Sequence, residues 1–212
     1  MERIVCLGIG YLFGLFQTAY IYGKMNGIDI REHGSGNAGS TNALRVLGKK
    51  AGVIVLLGDV AKTVLAVLLI RMLFRRSHGD MLPLLGIYAA AGAILGHNFP
   101  VNLGFKGGKG IACTAGLVLT LGPVVTVLES ATFLLTVFLT RYVSLGSVLV
   151  VIELVVDLVV LGQMGYYGMS QAHLTEFYLV CTALSAMAIY RHRANIKRLL
   201  NGTESKIFEK KE

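Results

Sequence analysis

Four short stretches concentrate the polar chemistry of this sequence. Residues 31–52, REHGSGNAGSTNALRVLGKKAG, set Gly34, Gly36 and Gly39 among Ser35, Asn37, Ser40, Thr41 and Asn42, with Arg45 just beyond. Glycines admit backbone conformations that aim successive amides at one anion, and the side chains between them add donors. The planar fork of Arg45 suits a phosphate gripped through two bonds. Turn geometry alone also favours Gly, Ser and Asn, but a loop this polar tied to apolar flanks favours binding.

Residues 96–110, GHNFPVNLGFKGGKG, form a second glycine-rich loop. Gly107, Gly108 and Gly110 allow close backbone approach, and Lys106 and Lys109 bring positive charge. A helix starting at Ile111 would turn its amino end toward the same anion. His97 and Asn98 stand at the mouth, before Pro100. Neither loop fits a nucleotide motif. The G-x-G-x-x-G at Gly34, Gly36 and Gly39 follows no buried strand, and a G-x-x-x-x-G-K-S/T match fails at Leu103 and Gly110. General phosphate cradling is what survives.

The third stretch, TRYVSLGS at 140–147, carries Ser144. The fourth, YRHRANIKRLLNGTESK at 190–206, puts His192, Asn195 and Arg198 on successive turns of one helix face. A basic anchor for anionic headgroups accounts for its arginines but not for the histidine and asparagine.

The elements that must position these loops are membrane helices. Of the 212 residues 54% are hydrophobic and 15% charged, and the mean hydropathy is +0.66. Apolar runs near 3–23, 51–74, 81–98, 111–122, 123–140, 144–163 and 174–190 predict an all-α integral membrane bundle of about seven spans, forming a single domain over 1–212. The run 111–140 is long for one crossing and short for two, and Gly122-Pro123 interrupts it. Charge favours a hairpin with the amino terminus outside. Lys24, Arg31, Arg45, Lys49, Lys50, Lys106, Lys109, Arg141 and the basic tail from Arg191 to Lys211 then share one side, the cytoplasmic one, against Arg3, Arg71, Arg75 and Arg76 on the other. Residues 3–23 are too long for a signal-peptide core and lack its cleavage pattern, so they are read as a mature helix.

The formal net charge of +8 lies in loops beside apolar spans, without an aromatic platform or basic reading helix, so anionic lipid and anionic substrate are expected rather than nucleic acid. Cys6, Cys113 and Cys181 are read as buried apolar residues, not as a disulfide framework or zinc site. Inside the spans, Asp59 and Lys62 stand one turn apart and Glu153 and Asp157 share a face. A charge at the bilayer centre costs about 2.5–3.5 kcal/mol on insertion scales, so these residues should face the bundle interior in pairs.

Taken together, GSGNAGSTNALRVLGKKAG, GHNFPVNLGFKGGKG, RYVSLGS and HRANIKRLLNGTESK closely resemble the signature loops of the bacterial acyl-phosphate-dependent glycerol-3-phosphate acyltransferases, from the first span to about residue 206. Gly146 stands where that family often has alanine, and Asn98 and Asn102 fall at variable places. The resemblance implies an enzyme of phospholipid synthesis in the cytoplasmic membrane, with its site facing the cytoplasm. It implies acyl phosphate and glycerol 3-phosphate as substrates, and neither metal nor cofactor. Arg45, Lys109, His192, Asn195 and Ser35 would be its catalytic residues. Gly34, Gly36, Asn37, Ser40, Thr41, Asn42, His97, Lys106, Gly107, Gly108 and Ser144 would bind substrate. The His-x4-Asp pattern of other glycerolipid acyltransferases is absent, since positions 38, 83, 102, 178 and 197 are Ala, Pro, Asn, Tyr and Lys. The proton acceptor is therefore open between His192, His97 and the departing phosphate. An acyl-CoA donor would call for longer loops than these, and an anion transporter for polar breaks at the membrane midplane rather than at one interface.

Overall fold

The computed structural model describes residues 1–207, so Lys210 and Lys211 of the basic tail lie outside the described residues. The helices are α1 (Glu2–Gly14), α2 (Thr18–Met25), α3 (Ser40–Leu47), α4 (Lys49–Phe74), α5 (Leu82–Asn98), α6 (Ile111–Leu121), α7 (Pro123–Thr140), α8 (Val143–Gln163), α9 (Gln171–Arg191) and α10 (Arg193–Leu200). Six helical segments among the described residues are long and apolar enough to cross a membrane, and α6 is a shorter apolar helix.

The expected hairpin forms. Gly122 turns the chain at a φ of 116°, and Pro123 starts α7 where its missing N–H costs nothing. Arg71, in the last turn of α4, donates to the Thr120 carbonyl beside this turn. At the other end of α7, the Arg141 carbonyl accepts from the Ile207 N–H at 2.8 Å, where the tail returns. The tail and the glycine-rich loops therefore lie at the same end of the bundle. Single cysteines placed at Ser35 and at Ser205, in a background lacking the buried native cysteines, should react with an impermeant thiol reagent from the same face of a vesicle, and one at Arg75 from the opposite face. Labelling of positions 35 and 205 from different faces would contradict this topology.

α5 occupies the centre of the bundle and packs in parallel against α1 through glycines. A Cβ on Gly10 would stand 1.9 Å from the Ala89 carbonyl oxygen, and one on Gly92 would stand 2.1 Å from that of Leu7. Lipid tails are as apolar as the side chains, so close backbone approach is what drives helices together here. At the far end, Tyr88 of α5 and Arg3 of α1 both bind Glu176 of α9, at 2.7 Å each, locking three helices.

The first span departs from the single helix expected over 3–23, because it breaks between α1 and α2. Gln17 Nε2 donates to the carbonyls of Gly14 (2.9 Å), Gly96 (3.2 Å) and His97 (3.2 Å), while Lys62 Nζ donates to that of Phe16 (2.9 Å). Backbone groups freed at membrane depth are tolerated only when the protein satisfies them, and these two side chains do so. Asp59 and Lys62 pair as expected at 2.8 Å. Glu153 and Asp157 acquire a third acidic neighbour, Glu129 of α7, which composition and spacing did not single out.

Candidate active site

The first glycine-rich loop is held open from within. Asn42, in the first turn of α3, reaches back so that its Oδ1 accepts from the Ser35 N–H at 2.8 Å and its Nδ2 donates to the carbonyls of Ile30 (3.1 Å) and His33 (2.9 Å). Gly34 has a φ of +62°, and a Cβ there would meet Asn42 Oδ1 at 2.3 Å. Asn42 thus braces the loop, with both amide hydrogens engaged inside it rather than turned outward as a substrate donor. Arg31 ties the loop outward, pairing with Asp29 at 2.8 Å and donating to the Leu103 carbonyl at 3.3 Å. The Arg31 guanidinium holds the Asp29 carboxyl well below the usual carboxylate range. Gly36 is exposed, as is Ser35, while Asn37, Ser40 and Thr41 are half-buried on the same rim.

The second loop meets the first at Gly108. Its N–H donates to the His97 carbonyl at 3.1 Å, and a Cβ on it would stand 2.1 Å from His97 Nε2 and 2.8 Å from the Ala38 oxygen of the first loop. Arg191, at the end of α9, donates to the carbonyls of Gly107 (3.2 Å) and Gly108 (2.6 Å) and lies over the Phe99 ring. These bonds tie the end of α9 to the second loop and bring a cation against it. Lys106 is exposed on its outer edge.

Lys109 is the hub. Its ammonium donates to Asn195 Oδ1; Asn195 Nδ2 donates to Glu204 Oε1 at 2.6 Å; and Ser144 Oγ reaches the same oxygen at 2.9 Å. Arg198 donates to Glu204 Oε2 at 2.6 Å, and Arg45 donates to the Ser205 carbonyl at 3.1 Å. Burial would raise the Glu204 carboxyl, but hydrogen bonds from Asn195, Arg198 and Ser144 outweigh it and hold the group below the usual range. His192 is buried, and its Nδ1 donates to the Ala188 carbonyl at 2.8 Å, leaving Nε2 as an acceptor in the neutral ring. Chiefly by burial, with Lys109 and Arg191 adding to it against Ala188 and Glu204, its pKa is pushed down to about 4.

Burial, with Arg198, Arg191 and Arg45 nearby and only Glu204 opposing, pushes Lys109 down to about 8. A lysine with a depressed pKa is charged below that value and loses its charge above it. Plots of kcat/KM, which report the free enzyme, should therefore fall on an alkaline limb near pH 8. Lys109→Arg should move that limb out of range, and a limb unchanged in this variant would assign it elsewhere.

The structure thus brings Lys109, Asn195, Ser144, Arg45, His97, Gly107 and Gly108 to one mouth, with His192 beneath it. No hydrogen bond among the described residues ties the Ser35 hydroxyl into the cluster. Glu204 and Arg191, which organise the mouth, went unselected by residue type. As the one acid in the stretch 190–206, Glu204 did carry a signal. Glycine-rich backbone beside the cations Lys109 and Arg45 is chemistry that suits anionic oxygens.

Comparison with known proteins agrees with this geometry. A family model described as glycerol-3-phosphate acyltransferase matches residues 4–202. The chain is 46% identical over 211 residues to a glycerol-3-phosphate acyltransferase of Clostridioides difficile (strain 630), covering 99% of this chain and 97% of that protein. Identity is 43% with the protein of the same name from Bacillus subtilis (strain 168), covering 94% of each. A crystal structure of PlsY (YgiH), an integral membrane glycerol 3-phosphate acyltransferase, in its glycerol 3-phosphate form is similar with a TM-score of 0.84 at 33% identity, covering 98% of this chain and 96% of that one. Its lysophosphatidic acid form is similar with a TM-score of 0.81 at 32% identity, covering 97% and 95%.

Proposed function

Since the chain belongs to the glycerol-3-phosphate acyltransferase family, we propose that it transfers an acyl group from an acyl phosphate to the 1-hydroxyl of glycerol 3-phosphate, giving 1-acylglycerol 3-phosphate and inorganic phosphate. The observation that carries this reading is the convergence of two glycine-rich loops, Lys109 and the Asn195–Glu204–Ser144 cluster at one mouth of an apolar bundle. Two anionic heads and one apolar tail are the ligands such a mouth suits. The similar solved structures, in a glycerol 3-phosphate form and a lysophosphatidic acid form, bracket the acceptor and the product. The chain acts as one membrane domain. Its basic end, with Lys24, Lys49 and Lys50 beside the site loops, faces the cytoplasm from the bacterial inner membrane.

In the reaction the acceptor hydroxyl attacks the acyl carbonyl, the bond from carbonyl carbon to the bridging oxygen breaks, and phosphate leaves with that oxygen. Lys109, Arg45 and the amides of the two loops hold the phosphates and offset the charge that develops on the leaving group. Ser144, Asn195 and His192 orient the acceptor. The hydroxyl proton passes to the departing phosphate, whose second ionisation lies near neutral pH. A histidine with a pKa near 4 is a weak base at neutral pH, which favours the substrate over His192 as proton acceptor. His192→Gln should accordingly retain substantial turnover with its pH profile preserved. Near-abolished turnover at unchanged affinity for both substrates would restore His192 as the base.

The test of the function is a donor comparison. Purified protein in detergent or nanodiscs should make lysophosphatidic acid from glycerol 3-phosphate and palmitoyl phosphate, with no product from palmitoyl-CoA. Equal or better turnover with the thioester would replace the proposed donor.

A further inference from the structure

Below the mouth lies a buried polar cluster that the reaction as described does not use: Asp59, Lys62, Thr18 and the inner nitrogen of His97. Each of its ionisable members is almost wholly buried, with 0% of Asp59, 4% of Lys62 and 3% of His97 exposed. The Lys62 ammonium has three acceptors around it: the Phe16 carbonyl at 2.9 Å, Asp59 Oδ1 at 2.8 Å and His97 Nδ1 at 2.9 Å. Asp59 Oδ1 is held from its other side by Thr18 Oγ1 at 3.1 Å.

An ammonium has three protons and no lone pair, so three acceptors use it completely. The ring nitrogen facing it must then carry a lone pair. Asp59 is 3.7 Å from the same nitrogen, too far to take a proton from it by a hydrogen bond. In the neutral ring the remaining proton is on Nε2, and Nε2 is the atom that points at Gly108, 2.1 Å from where a Cβ would be. No hydrogen bond among the described residues occupies Nε2, whereas the opposite nitrogen, the His97 carbonyl and the carbonyls of Gly107 and Gly108 all have partners.

We propose that Lys62, held in place by Asp59 and Thr18, fixes His97 in the tautomer protonated on Nε2, which makes His97 a hydrogen-bond donor to a substrate oxygen at the Gly108 edge and excludes it as the proton acceptor. Lys62 and Asp59 are positioning residues that act through His97. The break between α1 and α2 belongs to the device, because it supplies the Phe16 carbonyl that takes the third proton. The two histidines of the site are thereby opposite in kind. His192, whose Nδ1 donates to Ala188, presents an acceptor, and His97, whose Nδ1 accepts from Lys62, presents a donor.

The proposal rests on the acyltransfer reading for the identity of the oxygen, but the tautomer is a property of the free protein. Nitrogen resonances of the wild-type protein, grown on ring-labelled histidine and assigned by loss in His97→Gln, should show His97 Nδ1 as unprotonated and Nε2 as protonated at neutral pH. The reverse pattern overturns the proposal whatever the donor assay gives. Two variants read the role in turnover. The amide nitrogen of Gln can reach the place of Nε2, whereas the amide of Asn reaches only the place of Nδ1. His97→Gln should keep kcat/KM within about 10-fold of wild type and His97→Asn should lose about 100-fold or more, in line with loss of a donor to developing charge. Asn equal to or better than Gln would mean that His97 serves only to satisfy Lys62. Equal, near-complete loss in both, with substrate affinity retained, would mean that His97 is the base. Either result overturns the proposal.

Discussion

Gly108→Ala should lower kcat/KM by about 100-fold or more, the scale expected when reacting groups are displaced by about 1 Å. The added methyl has no place to go. It would lie 2.1 Å from His97 Nε2 and 2.8 Å from the Ala38 oxygen, with His97 pinned from behind by Lys62 and Ala38 held in the first loop. Something must shift, and whichever loop yields, the amides that face the anion separate from Lys109, the next residue. Steady-state kinetics of the purified variant provide the measurement, with Gly8→Ala as the comparison, since a Cβ on Gly8 meets nothing within 4 Å. Activity of Gly108→Ala within a few-fold of Gly8→Ala would show that the loops need not meet at this point.

Lys109→Met is the second large effect. The methionine keeps much of the packing of a side chain that is largely buried, but removes the charge between the second loop and Asn195. A positive group placed where negative charge develops on the leaving phosphate contributes about 100- to 1,000-fold in kcat, by analogy with loss of one donor from an oxyanion site. The KM for glycerol 3-phosphate should change less than kcat if Lys109 serves the donor's phosphate. A large rise in KM for the acceptor with kcat intact would move Lys109 to the acceptor's phosphate instead.

Much of the fold was legible because membrane insertion is a strong constraint. Long apolar runs separated by glycine and charge located the crossings, and the asymmetry of Arg and Lys decided the hairpin between Ile111 and Thr140. The break at Leu15–Gln17 was not legible: residues 3–23 read as one apolar run, and the groups that stabilise the break, Lys62 and the backbone of Gly96 and His97, are distant in sequence. The glycine seam of α1 and α5 was present as Gly10, Gly14, Gly92 and Gly96, but hydropathy does not weigh it.

At the site, residue types found the loops and not their inner division of labour. Asn42 looked like a ligand because asparagine in a glycine-rich loop offers donors, and only the fold shows those donors turned inward. Glu204 drew no reading from its residue type, and only the return of the tail to Arg141 brings it against Ser144 and Asn195. The pairing of Asp59 with Lys62 followed from the cost of buried charge, but its reach to His97 depends on how α4 lies against α5.

In the proposed reaction the acyl group, and not the phosphoryl group, leaves the acyl phosphate for glycerol 3-phosphate. Palmitoyl phosphate carrying heavy oxygen at the bridging position, incubated with purified protein and glycerol 3-phosphate and followed by mass spectrometry of the products, tests it directly. Attack at the carbonyl predicts one labelled inorganic phosphate for each lysophosphatidic acid, with no label in the ester. Label retained in free palmitate, with no lysophosphatidic acid formed, would contradict it.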